Sequence, residues 1–155
     1  MKVGQGIDAH RFTQGDHIML GGVKIPYSQG IEAHSDGDAL LHAICDALLG
    51  AAGLGDIGMH FSDQDQAHKN RDSREFMRDI ANKLAEKKLK VINVDATIIL
   101  QRPKVAMHKQ AMQENIASDL GTTIDCVNVK ATTTEYMGFT GREEGIAAMA
   151  IALIE

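Results

Sequence analysis

Three side chains in the sequence, those of Asp8, His10 and His42, are of the types that bind zinc in proteins. Asp8 and His10 are two residues apart, so in an extended segment both point to the same side. One carboxylate and two imidazoles leave one tetrahedral position open, which is typical of catalytic zinc sites. The sequence therefore predicts a zinc site made of these three residues. The alternative is that His42 is an ordinary surface histidine.

A second group of polar residues suits the binding of phosphate. Thr132–Glu135 ends a predicted strand with three consecutive hydroxyls, and such a turn with its backbone amides can hold a phosphate. Glu135 offers carboxylate oxygens to a hard cation such as Mg²⁺. Arg142 can donate two hydrogen bonds to one phosphate, and Lys104 lies at the start of a predicted helix whose free amides favour anions. The alternative is a polar strand end flanked by solvated charges.

A helix over residues 36–51 is predicted to present His42 to the zinc site. Ser35 suits the N-cap position, and Asp38 supplies the acidic partner of a capping box. Asp38 and Asp46 lie one turn before and one turn after His42, so we expect a carboxylate to accept from its second ring nitrogen. The apolar face that fixes this helix to the core consists of Leu41, Ile44, Leu48 and Leu49.

The remaining periodicity predicts several strands and two further helices. The strands are expected at 2–8, 18–25 (a hairpin around Gly21-Gly22), 94–101, 127–132 and 145–155, and the helices at 72–88 and 103–120. Strands and helices are mixed without strict alternation, which favours one α+β domain over residues 1–155 with a mixed sheet and helices on one face. The long Gly- and Asp-rich loop 53–71 is interpreted as an active-site flap, with a solvated acidic loop as the alternative.

The last predicted strand, 145–155, is apolar on both faces. Three helices can cover only one face of the sheet, so the other face needs further copies of the chain. We therefore expect a homo-oligomer that packs through its sheets. The alternative is a terminal helix that runs through the core.

Composition restricts the class of protein. The chain has 155 residues and a formal net charge of −5, with no basic patch, so a nucleic-acid partner is not expected. No apolar run approaches the ~20 residues of a membrane span, so we expect no membrane partner and a cytoplasmic location.

Six motifs stand in a recognisable order and spacing: Gly6–His10, Gly21–Pro26, Ala33–Asp38, Leu54–Gly58, Val129–Glu135 and Gly138–Arg142. They resemble those of the 2-C-methyl-D-erythritol 2,4-cyclodiphosphate synthase family. The resemblance runs from residue 2 to the last strand. It implies a bacterial-type homotrimer with active sites between adjacent subunits. It also implies a phosphorus–oxygen lyase of the non-mevalonate isoprenoid route, which closes a cyclic diphosphate from 4-diphosphocytidyl-2-C-methyl-D-erythritol 2-phosphate and releases CMP.

The resemblance also implies roles for individual residues. Asp8, His10 and His42 would hold one Zn²⁺ per subunit, Glu135 would help to hold Mg²⁺ or Mn²⁺, and His34 and Thr133 would stabilise the transition state. Contacts to the phosphate and methylerythritol end are implied for Ser35, Asp56, Ile57, Gly58, Phe61, Ser62, Asp63, Gln64 and Asp65. Contacts on the cytidine side are implied for Leu100, Gln101, Arg102, Pro103, Lys104, Val105, Ala106, Ala131, Thr132 and Thr134 of a neighbouring chain, with Phe139 and Arg142 nearby.

Two other functions remain open from the residues alone. One is a zinc-dependent hydrolase of phosphoanhydrides, and the other is an oligomer that binds a phosphorylated ligand without catalysis. Glu143 stands where the family frequently has glycine, and we expect its carboxylate, beside Arg142, to weaken any binding of an anion at the trimer axis.

Overall fold

A five-stranded mixed sheet carries α-helices on one of its faces. The computed structural model describes residues 1–62 and 69–155. In those ranges the strands are β1 (Lys2–Thr13), β2 (His17–Leu20), β3 (Val23–Pro26), β4 (Gly30–Glu32), β5 (Val91–Ile99), β6 (Val127–Thr132) and β7 (Gly145–Ile154). The helices are α1 (Ala39–Ala52), α2 (Ile57–His60), α3 (Ser73–Glu86), α4 (Lys109–Leu120) and α5 (Gly138–Gly141).

The strand order of the main sheet is β4-β1-β7-β5-β6. The pair β5 and β6 is parallel, and the pairs β4 and β1, β1 and β7, and β7 and β5 are antiparallel. The strands β2 and β3 form a separate two-stranded sheet, the predicted hairpin. The expected α+β class with a mixed sheet is therefore confirmed.

The helix α1 lies so close to β1 that two positions of the strand must be glycine. A Cβ atom at Gly6 would come within 2.0 Å of the Ala43 carbonyl oxygen. A Cβ atom at Gly4 would come within 2.0 Å of the Ala47 carbonyl oxygen. Because both obstacles are helix backbone, the spacing Gly4-x-Gly6 sets the distance between the strand and the helix that carry the predicted zinc ligands.

The helix α1 begins at Ala39, and Asp38 is its N-cap in place of the predicted Ser35. The Asp38 carboxylate is fully buried and accepts from the amides of Leu41 at 3.0 Å, Gly21 at 3.0 Å and Gly22 at 2.8 Å. Burial, together with the charge of Asp36, outweighs these hydrogen bonds and raises the pKa of Asp38 to about 6. One carboxylate thus joins the hairpin turn to the start of the helix.

Replacing Asp38 with alanine is expected to destabilise the protein by about 2–4 kcal/mol, because three amide donors around it lose their acceptor. Equilibrium unfolding in urea measures the change. The control is Asp56→Ala, which removes an exposed cap of the four-residue α2 and is expected to cost less than about 1 kcal/mol. Equal losses in the two variants would contradict this role of Asp38.

Several predicted boundaries were wrong. The strand β1 continues to Thr13, since Arg11 pairs with β7 and Arg11 to Thr13 pair with β4. The strand predicted at 94–101 spans 91–99, and the helix predicted from 103 starts at 109 after a short 3₁₀ turn. The loop 53–71 contains α2, and both β4 and α5 were missed because three or four residues carry no measurable periodicity.

The face of the sheet opposite the helices is exposed. Its part formed by β1 and β7 is largely apolar, whereas β5 and β6 carry the ion pair between Asp95 and Lys130. Met149 and Ile151 on β7 are 42% and 52% exposed, and their neighbours Val3 and Ile7 on β1 are 68% and 59% exposed. The prediction of a strand that is apolar on both faces is confirmed, and the alternative of a terminal helix is wrong. Among the described residues, none of the helices is long and apolar enough to cross a membrane.

Candidate active site

The predicted zinc ligands meet where α1 crosses β1. Asp8 Oδ2 lies 2.8 Å from His10 Nε2 and 3.1 Å from His42 Nδ1, and the two nitrogens are 3.3 Å apart. These three residues, called the triplet below, form a group that could hold a metal ion. Ligands at 2.0–2.2 Å from a tetrahedral zinc would be roughly 3.3–3.6 Å apart, so a small expansion of the triplet accommodates the ion.

The charges and hydrogen bonds within the triplet favour the binding of a cation. Burial raises the pKa of Asp8, but the hydrogen bonds and charges of His10 and His42 outweigh it and lower the pKa to about 2. Burial lowers the pKa of His42, but Asp8, with smaller contributions from Asp38 and Asp36, raises it above its ordinary value of 6.5. Asp8 is therefore ionised throughout the physiological range, and a proton on His42 competes with a metal.

The affinity of the triplet for zinc is expected to fall as the pH is lowered through the raised pKa of His42. Below that pKa the dissociation constant should rise about tenfold per pH unit, since one proton must leave for each ion bound. In the metal-free protein the fold is expected to become less stable as the pH rises. The raised pKa of His42 stabilises the folded state fully below pH 6.5, and this stabilisation is lost as the pH rises through the raised pKa. Competition with a chelator between pH 6 and pH 8.5 measures the affinity, and a constant value would contradict this coupling.

The second ring nitrogen of His42 contacts two serines and neither of the carboxylates expected from the sequence. His42 Nε2 lies 2.8 Å from Ser73 Oγ and 3.3 Å from Ser35 Oγ. Asp38 is occupied as the helix cap, and Asp46 accepts from the amide of Ile57 at 2.7 Å. The prediction of a carboxylate partner was wrong, and no feature of sequence spacing could have pointed to Ser73, which is 31 residues away.

The triplet opens into a cavity of about 330 Å³, called the triplet cavity below. Besides the triplet, its lining contains the predicted site residues His34, Ser35, Ile57, Gly58 and Phe61. Sequence reasoning missed Glu32, Ala33 and Phe76, which also line it. Asp56 caps α2 through the amide of Met59 at 3.0 Å, and Ser62 is exposed. The predictions for Asp63, Gln64 and Asp65 lie outside the described residues.

A second cavity, of about 220 Å³, lies at the ends of β5 and β6 and is called the strand-end cavity. Its lining includes the predicted residues Leu100, Gln101, Pro103, Lys104, Val105, Ala106, Ala131, Thr132 and Thr133, together with Lys109. Arg102 is exposed and lies 3.4 Å from Glu143, and Thr134 donates to the carbonyl oxygen of Met137 at 2.6 Å. None of the described residues lines both the triplet cavity and the strand-end cavity.

Glu135 lies in a tight turn after β6 and is exposed. Its φ angle is 51° and that of Tyr136 is 65°, so two successive residues adopt left-handed conformations. The Glu135 carboxylate accepts from Thr133 Oγ1 at 3.2 Å. Among the described residues Glu135 belongs to no group of three metal-binding side chains. From one chain it offers a single carboxylate to a cation.

Arg142 forms a bidentate ion pair with Glu144, in which Nε donates to Oε1 at 3.0 Å and Nη2 donates to Oε2 at 3.2 Å. This pairing raises the pKa of Arg142 and lowers that of Glu144. Glu143 accepts from the Tyr27 hydroxyl at 3.5 Å and lies 3.4 Å from Arg102, and its effect on an anion at a trimer axis stays a prediction. Phe139 and Glu144 line a further cavity of about 230 Å³ beside His10.

Comparison with known proteins identifies the family. A model described as the YgbB family matches residues 1–155. The chain belongs to the YgbB family. One relative, the 2-C-methyl-D-erythritol 2,4-cyclodiphosphate synthase of Thioalkalivibrio sulfidiphilus (strain HL-EbGR7), is 59% identical over 155 residues, which are 100% of this chain and 97% of the relative. The resemblance seen in the sequence motifs is thereby confirmed.

Two solved structures extend the YgbB comparison to the fold. The bifunctional IspDF of Campylobacter jejuni matches with a TM-score of 0.95 and 44% identity, over 99% of this chain and 42% of that longer one. The IspF of Plasmodium falciparum, solved as a CDP complex, matches with a TM-score of 0.86 and 32% identity, over 99% of this chain and 94% of its own.

Proposed function

We propose that this chain converts 4-diphosphocytidyl-2-C-methyl-D-erythritol 2-phosphate to 2-C-methyl-D-erythritol 2,4-cyclodiphosphate and releases CMP. The observation that carries the proposal is a three-ligand site that opens into the triplet cavity, in a chain 59% identical to a relative named for this reaction. The enzyme is a phosphorus–oxygen lyase of isoprenoid precursor biosynthesis. Its phosphorylated substrate and product fit the cytoplasmic location expected from the sequence.

The proposed reaction needs no proton transfer to or from a protein side chain. The nucleophile is an oxygen of the substrate's own 2-phosphate, which attacks the β-phosphorus and expels CMP, so no general base is required. The protein must fold the substrate back on itself and balance the charge of its phosphates. Correct placement of two reacting groups can contribute about 7–11 kcal/mol to such a step.

The donor set of the triplet fits zinc, because two imidazoles and one carboxylate leave a position open to a phosphate oxygen. Bound there, zinc supplies Lewis-acid polarisation of a phosphoryl oxygen. Glu135 has an exposed carboxylate that would help to hold Mg²⁺ or Mn²⁺. The assignment of the two ions follows their ligand preferences: imidazole suits zinc and oxygen suits magnesium.

The other site residues divide between the two cavities. His34 and Ser35 line the triplet cavity, where they would face the phosphates, and Ile57, Gly58 and Phe61 would contact the methylerythritol. Asp56, Ser62, Asp63, Gln64 and Asp65 would complete that subsite. The strand-end cavity would hold the cytidine, with Thr133 directed at the transition state. Arg102 and Thr134 would contact the cytidine side as well, and Phe139 and Arg142 would lie nearby.

A homotrimer would bring the two subsites together. In the part of the chain that the structure describes, the triplet cavity and the strand-end cavity have no lining residue in common, while one substrate has to reach both. The uncovered apolar face of the sheet around Ile7, Met149 and Ile151 supplies a surface for packing between copies. We place each active site between the triplet cavity of one subunit and the strand-end cavity of its neighbour.

Product analysis by ³¹P NMR, with zinc and magnesium present, tests the proposed reaction. We expect CMP and the cyclic diphosphate in equal amounts. A zinc-dependent hydrolase would give CMP with a linear bisphosphate, and a binding oligomer would release no CMP. Either of these results would overturn the proposal.

A further inference from the structure

Two residues outside the triplet lie behind His42 in a continuous hydrogen-bonded chain. Ser73, the first residue of α3, is fully buried, and its Oγ lies 2.8 Å from His42 Nε2. The same hydroxyl donates to Asp36 Oδ1, and Asp36 Oδ2 accepts from the Ser73 amide at 3.0 Å. Asp36, Ser73 and His42 come from three different segments, so their alignment is a product of the tertiary fold.

The Asp36 carboxylate is held from several sides. Besides the amide and hydroxyl of Ser73, the amide of Asp38 donates to Asp36 Oδ1 at 3.2 Å. The backbone of Asp36 is fixed as well, since its amide donates to the carbonyl oxygen of Arg71 at 3.3 Å. The carboxylate is thus a fixed acceptor, and the Ser73 hydroxyl has one preferred direction for its proton.

The number of protons decides the roles of the two ring nitrogens. A serine hydroxyl has one proton, and a carboxylate can only accept, so the proton of Ser73 goes to Asp36. Ser73 Oγ must then accept a hydrogen bond from His42 Nε2–H. A neutral imidazole with its proton on Nε2 keeps its lone pair on Nδ1, the atom that lies 3.1 Å from Asp8 Oδ2 and 3.3 Å from His10 Nε2.

We propose that Ser73 and Asp36 are positioning residues that hold the Nε2–H of His42 and direct its Nδ1 to the metal. This inference rests on the triplet as a metal site, as in the proposed function. A partner for the distal nitrogen fixes both the orientation and the tautomer of a ligating histidine, and its loss typically weakens metal affinity about 10- to 100-fold. Because Ser73 begins α3, the docking of α3 against the segment before α1 sets the geometry of the metal site.

The test compares zinc binding by the purified wild-type chain and three variants, using zinc alone and a competing chelator. Ser73→Ala removes the hydroxyl and is expected to raise the dissociation constant for zinc about 10- to 100-fold. Ser73→Thr keeps a hydroxyl and is expected to retain affinity close to the wild type. Asp72→Ala is the matched control, since Asp72 caps the same helix through the amide of Arg74 at 2.9 Å and does not touch His42.

A spectroscopic readout separates positioning from a merely structural role. In the zinc-loaded, ¹⁵N-histidine-labelled protein, His42 should coordinate through Nδ1 and show a slowly exchanging Nε2–H resonance. Ser73→Ala should lose this protection. Coordination through Nε2, equal protection in Ser73→Ala, or unchanged zinc affinity in Ser73→Ala would each overturn the inference. A wild-type chain that binds zinc normally but makes no product would overturn the proposed function alone.

Discussion

Replacing His42 with alanine is expected to reduce CMP release by on the order of 10³-fold or more, because a site that loses a ligand of its Lewis acid loses several kcal/mol of charge stabilisation. His42 contributes one of the three ligand atoms of the triplet. The helix that carries it is anchored by the opposite, fully buried face, which includes Leu41, Ile44 and Leu48. The variant should therefore remain folded and assembled. CMP release measures the loss of turnover, zinc content measures the loss of bound metal, and sedimentation measures whether the oligomer stays assembled.

His17→Ala is the matched control for the loss of His42. His17 lies on β2, is paired with the exposed Asp16 at 2.6 Å and lines neither of the two proposed subsites. We expect its turnover and zinc content to be those of the wild type. Dissociation of the His42→Ala oligomer would indicate a structural rather than a catalytic metal and would contradict the account, as would full turnover in that variant.

Gly6→Ala is expected to destabilise the protein by about 3 kcal/mol or more, at the upper end of the cost of overpacking a core. The added Cβ would lie 2.0 Å from the Ala43 carbonyl oxygen and 2.7 Å from the Ala47 nitrogen, so helix backbone has to move. A shift of α1 away from β1 also separates His42 from Asp8. We therefore expect zinc affinity to fall together with stability, as measured by urea unfolding and chelator competition.

Gly50→Ala in the same helix provides the opposite expectation. A Cβ at Gly50 would meet only the Gln5 carbonyl oxygen, at an ordinary 4.0 Å. Alanine within a helix is favoured over glycine, so this variant should gain about 0.5–1 kcal/mol and keep its zinc affinity. If both glycine variants changed stability in the same direction, the close approach of α1 to β1 would not be the reason for Gly6.

The two parts of the triplet were predictable because simple periodicity governs each of them. Alternation along an extended strand puts Asp8 and His10 on one side, and helical spacing puts His42 on a face away from the apolar stripe. The start of α1 was not predictable in the same way, since Ser35 and Asp38 are both good N-cap residues. Gly37 has a left-handed backbone conformation, with φ of 73°, which is not helical. The helix therefore begins after it, at Ala39, where the buried Asp38 is the N-cap.

Contacts between distant segments account for most of what sequence reasoning missed. Ser73 lies behind His42 because α3 docks beside α1, and no local pattern records that docking. The separation of the site residues into the triplet cavity and the strand-end cavity likewise depends on where the strands end in the sheet. The roles predicted for these residues toward substrate came from the family motifs, which lie between Gly6 and Arg142.

The claim that the substrate's own phosphate is the nucleophile is tested most directly by running the reaction in H₂¹⁸O. Mass spectrometry of both products reports whether water entered the bond that formed. The account predicts that CMP and the cyclic diphosphate contain no ¹⁸O above that of the unreacted substrate. Incorporation of ¹⁸O into CMP or into the second product would show that water attacks a phosphorus atom and would contradict the account.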